Sequence, residues 1–318
     1  MSPFSPLPSV VAFGGGHGLS ASLSALRQVT TRLTAIVTVA DDGGSSGRLR
    51  AEFPSLLPPG DLRMALAALC GDDDVGRAWA AALQARFPGD GPLGGHSVGN
   101  LLIASLWQQL DDPVAGLDMV ASMLYVEGRV LPMSSIPLVI EADVIGADPH
   151  RPDERTVVVG QEAVALAVGD IADVRLVPAD PPAVPQALAA IARADYLILG
   201  PGSWYSSVIP HLLVPDLVDA ITASRARKVL TLNLVPTADE TPAYTASRHI
   251  EVLAEHAPEL RLDVVVADPS FAEGDPHLAT YVASLGAELV IAPVRMRDGS
   301  ARHDPLLLAS VYAGIMGL

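Results

Sequence analysis

An apolar run, Val10-Val11-Ala12-Phe13, leads directly into Gly14-Gly15-Gly16-His17-Gly18 and then into Leu19 to Arg27, a stretch rich in leucine, alanine and serine. That order reads as strand, glycine turn and helix, the opening unit of an α/β sheet. At the start of such a helix, unpaired backbone N–H groups and the positive end of the helix dipole together make a seat for an anion. The dinucleotide fingerprint G-x-G-x-x-G is not met, because its last glycine would fall on Leu19. A purely structural turn is the alternative reading of these glycines.

A second strand-and-loop unit supplies what the first lacks. Ala35 to Ala40 reads as a buried parallel strand, and Asp41-Asp42-Gly43-Gly44-Ser45-Ser46-Gly47-Arg48 follows it as a loop of carboxylates, hydroxyls and close-approach backbone. Asp41 stands about where an acid meets a ribose hydroxyl in a doubly wound nucleotide fold. A third unit repeats the pattern, with strand Tyr196 to Leu199 running into Gly200-Pro201-Gly202-Ser203-Trp204-Tyr205-Ser206-Ser207. Gly200 and Gly202 allow backbone approach, and Ser203, Ser206 and Ser207 can donate to phosphate oxygens. Three such loops at strand ends are expected to converge on one crevice.

Between the second strand and the middle of the chain the pattern is helical, from about residue 61 to 125, and this insert is expected to cover the nucleotide site as a cap. Asp61 reads as the cap of a helix running toward Cys70, and Ser97 as the cap of another. His96 and Asn100 are expected to reach a ligand from this insert. Arg48, Arg63 and Arg302 are the candidates for charge neutralisation, with surface ion pairing as the alternative for each. Asp41, Asp42 and Asp61 could together hold a magnesium ion that bridges phosphates. No nucleophile elbow, His-x-x-x-His or HExxH spacing occurs, so no catalytic residue is assigned.

Further on, short strands are expected at 138–145, 156–160 and 174–177, then helices to Arg193, over 215–224 and over 245–256. Strands at 229–235, 262–267 and 288–294 and a terminal helix complete the chain. The expected fold is therefore a single α/β domain over residues 1–318, Rossmann-like, with a mostly parallel sheet flanked by helices and a helical insert after the second strand.

Composition removes several functional classes. A net charge of −16 argues against nucleic acid and anionic membrane as partners. Lys228 is the only lysine, so there is no Walker lysine for P-loop phosphoryl transfer. Cys70 is the only cysteine, which excludes a disulfide framework and a cysteine-based zinc site and suits a reducing compartment. With neither signal-peptide regions nor a membrane-length apolar run, the cytoplasm is the expected location.

Five segments, GGGHGLS, TVADDGGSSGRLR, LPPGDLR, GHSVGNLLIASL and LGPGSWYSSVIPHLLVP, follow one another between residues 14 and 215. In that order they resemble the YvcK-type gluconeogenesis factors of bacteria, within the wider CofD-like group; YTASRHI near residues 244–250 and Arg302-His303-Asp304-Pro305 extend the likeness to the C-terminus. The resemblance implies a protein that binds UDP-sugars such as UDP-N-acetylglucosamine and links carbon metabolism to cell-wall synthesis and cell shape, without an established catalytic step. It also implies protein partners in cell-wall synthesis, self-association, and ligand contacts from Tyr281 and Arg302. His17, Met64 and His211 depart from the family's usual threonine, asparagine and asparagine. The rival reading is the CofD branch itself, a 2-phospho-L-lactate transferase that acts on a deazaflavin with a guanylyl diphosphate donor and magnesium. A nicotinamide oxidoreductase would suit the fold but lacks both the fingerprint and a proton donor.

Overall fold

The computed structural model describes residues 6–148, 150–151, 153–235, 241 and 244–318. Its first half runs β1 (Val10–Gly14), α1 (Gly16–Leu26), β2 (Leu33–Val37), α2 (Gly44–Glu52), α3 (Gly60–Ala68), α4 (Asp74–Gln84), α5 (Val98–Leu110), α6 (Pro113–Met123) and β3 (Arg129–Pro132). A small antiparallel sheet follows, from β4 (Val139–Ile145), β5 (Arg155–Val159) and β6 (Asp170–Val177), with α7 (Gln161–Ala165) before β6. The chain then returns to the main sheet through α8 (Pro185–Ala192), β7 (Tyr196–Leu199), α9 (Pro215–Ala223), β8 (Arg227–Thr231), α10 (Ala246–His256) and β9 (Val264–Ala267). It ends with α11 (Pro269–Ala272), α12 (Leu278–Ser284), β10 (Glu288–Ile291) and α13 (Pro305–Met316).

The main sheet has seven parallel strands in the order β10-β9-β8-β7-β1-β2-β3. Strands β1 and β9 are apolar along their length and buried on both faces, and β7 is nearly so, as a parallel sheet covered by helices requires. From β1 the chain builds outward to β2 and β3, and from β7 it builds the opposite way to β8, β9 and β10. The direction therefore reverses between β1 and β7, which pair from Val10↔Tyr196 to Phe13↔Leu199. Loops leaving the carboxyl ends of two such strands diverge and leave a crevice between them. The glycine turns at residues 14–18 and 200–203 are those two loops.

Helix starts are set by local chemistry at several places. Asp73 accepts from the Gly76 N–H, and Asp112 accepts from Val114 and Ala115 with Pro113 as the first helical residue. Asp304 and Pro305 do the same for α13. That last helix packs on α1, and Tyr312 from it exchanges hydrogen bonds with Ser22 of α1 (3.1 Å) and Thr231 of β8 (2.9 Å).

The structure corrects the sequence expectations in four places. The second loop is largely helix: α2 begins at Gly44, and Gly47 in its first turn packs against the Asp42 carbonyl, where any Cβ would lie 2.0 Å away. β3 was not anticipated; it is four residues long, ends in proline and lies at the sheet edge, where proline's missing donor is tolerated. Asp61 does not cap α3, since Pro59 occupies the cap position and Asp61 lies within the first turn. Ser97 does stand at the cap position of α5, but its side chain makes no capping hydrogen bond. The helices of the insert pack along α1, β2 and β3, with α3 against α1 and α6 against β3.

Candidate functional site

The two glycine turns touch. A Cβ on Gly18 would lie 2.3 Å from the Pro201 carbonyl oxygen and 2.6 Å from the Gly202 Cα, so only glycine permits this approach. Gly16, at φ +56°, opens α1, and Gly200 and Gly202 also take positive φ. Behind the second turn, Asn233 grips the Gly202 peptide from both sides: its Oδ1 accepts from the Gly202 N–H (3.0 Å), and its Nδ2 donates to the Gly202 carbonyl (2.9 Å). Sequence reading missed Asn233; a polar side chain just past the carboxyl end of a central parallel strand was the available signal.

On the β7 side of these turns lies a cavity of about 510 Å³, bordered by His17, Gly18, Ser203, Asn233, Leu234 and Arg302. Its size suits a nucleoside. His303 lines it as well, and burial pushes that imidazole down to about 4, so it is neutral at physiological pH. Arg302 reaches the rim while paired with Asp298 (3.0 Å), a contact open to solvent.

On the other side of His17 is a smaller, charged cavity of about 250 Å³. The first turns of α1, α2, α3 and α5 all contribute to its wall through Gly16, Ser45, Asp61 and Asn100. Helix N-termini gathered in this way favour an anion. The same wall carries two acids. Asp61 is buried, and desolvation followed by the nearby Asp41 charge pushes its carboxyl up to about 7, against a hydrogen bond from the Gly16 N–H. Its Oδ2 has no protein partner. Burial, and to a lesser degree the neighbouring Asp42, also raises Asp41, against hydrogen bonds from Ser46 and the Gly43 N–H. Ser46 in turn accepts from the Gly60 N–H at 3.0 Å, tying α2 to α3.

Several expected ligand contacts are turned elsewhere. Asp42 accepts from the Glu162 N–H at 3.0 Å and so faces α7, leaving Asp41 as the member of that adjacent pair that lines the cavity with Asp61. Arg48 donates to the Gly94 carbonyl (2.8 Å), holding the insert loop rather than bordering either cavity. His96 stands one layer back, its Nδ1 bonded to the Ser45 hydroxyl at 2.9 Å, so it positions Ser45. Ser206 is buried and bonds Ser203, and Gly14 and Gly15 shape the turn without lining either cavity. Gly15 is nonetheless constrained, because a Cβ there would strike the Asp61 carboxylate at 2.3 Å. Tyr281 borders neither cavity; it lies on α12 beside the charges of Arg248, Glu251 and Glu255 on α10. Of the three unusual residues, His17 lines both cavities and Met64 the charged one. His211 is a core residue: it is fully buried, its Nε2–H donates to the Ile36 carbonyl (3.0 Å), and its ring meets Phe13 edge-on.

The fold that carries this arrangement agrees with what the chain is similar to. A family model described as 2-phospho-L-lactate transferase CofD matches residues 10–290. The chain belongs to the CofD family. Its curated relatives within that family carry the gluconeogenesis-factor name. One from Mycobacterium leprae is 51% identical over 321 residues, 99% of this chain and 88% of the relative. The gluconeogenesis factor of Halalkalibacterium halodurans is 39% identical over 280 residues, 88% of this chain and 82% of that protein. A crystal structure of a UPF0052-family protein from Bacillus halodurans superposes with a TM-score of 0.83 at 33% identity, covering 96% of this chain and 99% of that one. The CofD-family fold thus extends over nearly the whole chain. No helix among the described residues is long and apolar enough to cross a membrane.

Proposed function

We propose that this protein is a cytoplasmic regulator that binds a UDP-sugar such as UDP-N-acetylglucosamine, with no catalytic step of its own. The observation that carries this reading is the contact between the Gly14–Gly18 and Gly200–Ser203 turns at the point where the sheet reverses direction. An apolar-walled cavity lies on one side of that contact and an anion-favouring one on the other. The nucleoside would occupy the first cavity, with Ser203 and Arg302 at its edge. The diphosphate would lie over the N-terminus of α1, against Gly16, His17 and Gly18.

Asp41 and Asp61 fit a magnesium ion. They are neighbouring hard-oxygen donors, and the Asp61 Oδ2 is buried without a partner. Once bound, the ion would screen these carboxylates from the diphosphate. Among the described residues no third acidic or imidazole side chain joins them, so ligand and solvent oxygens would complete the coordination shell.

Control of carbon metabolism and cell-wall synthesis would then run through a surface that responds to ligand, offered to protein partners or to a second copy of the chain. Titration calorimetry with UDP-N-acetylglucosamine and magnesium tests the reading, with saturable binding and no product expected. The family model's description favours a second reading, that of a phospholactyl transferase. Consumption of a guanylyl diphosphate donor in the presence of a deazaflavin acceptor would establish that activity and overturn the regulator reading.

A further inference from the structure

Arg63 of α3 and Arg86, just beyond α4, border the charged cavity and also a further one of about 560 Å³ enclosed by α1, α3 and α4. Ser20, Ser24, Ala67, Ala68, Ala80 and Gln84 also line this further cavity, so its walls mix small apolar and polar side chains. His17 lines it too, so all three cavities meet at the start of α1. A ligand with its nucleoside beside Asn233 and its diphosphate over α1 would therefore direct its remaining end toward the two arginines.

Their state is unusual for arginines in a protein of net charge −16. Arg63 is only 5% exposed; its Nε donates to the Asn100 Oδ1 (2.8 Å), and one terminal nitrogen, Nη1, has no partner. Arg86 gives one N–H to the Gly95 carbonyl (2.7 Å) and is otherwise open to solvent. Neither takes part in an ion pair among the described residues. Burial and the facing Arg86 charge pull Arg63 down to about 10, although Asp61 and Asp41 act in the opposite direction. Two like charges are thus held near each other, one of them desolvated, with no acid bonded between them. A planar carboxylate would satisfy the unused guanidinium N–H and offset the repulsion.

We propose that Arg63 and Arg86 form a second anion seat that takes a carboxylate on the non-nucleotide end of the ligand. On this view the site takes UDP-sugars as a class and favours a nucleoside-diphosphate-linked sugar acid over a neutral sugar nucleotide. The inference rests on the crevice being a nucleotide-sugar site and adds the chemistry of the sugar.

UDP-glucuronate and UDP-glucose differ only in a carboxylate against a hydroxymethyl group, and titration calorimetry with each provides the test. UDP-glucuronate should bind at least about tenfold tighter, as a charge-assisted bidentate contact predicts. Arg86→Gln, a change at an exposed side chain, should collapse that ratio to about twofold or less, and Arg63→Lys should reduce it because a lysine loses the fork. Equal affinities in the wild-type protein would overturn the inference while leaving the nucleotide-sugar reading in place. A preference that survives both substitutions would overturn the assignment of the seat to these arginines. Failure of both nucleotides to bind would overturn the site itself.

Discussion

The two cavities on either side of His17 solve different problems with the same kind of turn. Beside Asn233 and Leu234 the wall is mostly apolar, the His303 imidazole is uncharged and the one arginine is committed to Asp298 in solvent, so shape and apolar contact would do the selecting. Between α1 and α3 the wall concentrates helix ends, two acids and a desolvated guanidinium in half the volume. The first region is an apolar-walled pocket that opens to solvent past Val235 and Arg302. The second departs from the rule that buried charges are paired, and such departures concentrate at functional sites.

The contact between the two regions is the place to break this picture. Gly18→Ala would drive a methyl group into the Pro201 carbonyl, and the overpacking should cost about 1–3 kcal/mol in thermal or denaturant unfolding and abolish nucleotide binding. A variant that binds normally would show that the two turns do not act as one site.

Asp61→Asn separates the charged region from the neutral one. It removes a desolvated carboxylate, so the ligand-free protein should gain about 1–3 kcal/mol at pH 8, while magnesium should no longer strengthen nucleotide binding. The pH dependence has a definite sign. With Asp61 raised to about 7, the folded protein retains a proton that the unfolded chain has released, so this group's contribution to stability falls as pH rises from about 4 to about 7. His211, pushed down to about 4, acts oppositely: the unfolded chain takes up the proton first, and stability is lost as pH falls from about 6.5 toward 4. Melting curves of wild type and Asp61→Asn should therefore differ most above pH 7 and converge near pH 4.

Smaller effects sharpen the neutral region. Asn233→Ala frees the Gly202 peptide and should weaken nucleotide binding by about tenfold, the scale of losing a buried hydrogen-bonded clamp. Arg302→Gln should weaken it only about two- to fivefold, and less at high salt, because that side chain is exposed and already paired.

Continuous apolar runs followed by glycine made β1, β7 and the turns after them legible from sequence, and their common placement followed from the rule for parallel strands. Direction within a turn was not legible. Asp41 and Asp42 are adjacent and chemically identical, and only contact with α7 decides which one faces the cavity. Local rules also misassigned Asp61, whose partner is the Gly16 N–H from another helix rather than its own. Arg63 was legible as a cation, but its unused nitrogen depends on the packing of α3 against α5. Tyr281 came from family likeness alone, and its position beside Arg248 follows from the packing of α12 on α10.

The pairing of β1 with β7 bears on the order of events during synthesis. The two halves of the crevice are separated by some 180 positions along the chain, and Asn233 lies later still. A nascent polypeptide leaving the ribosome therefore holds only one lip of the crevice until well past its midpoint. Any recognition that needs both lips is acquired late, once they have met.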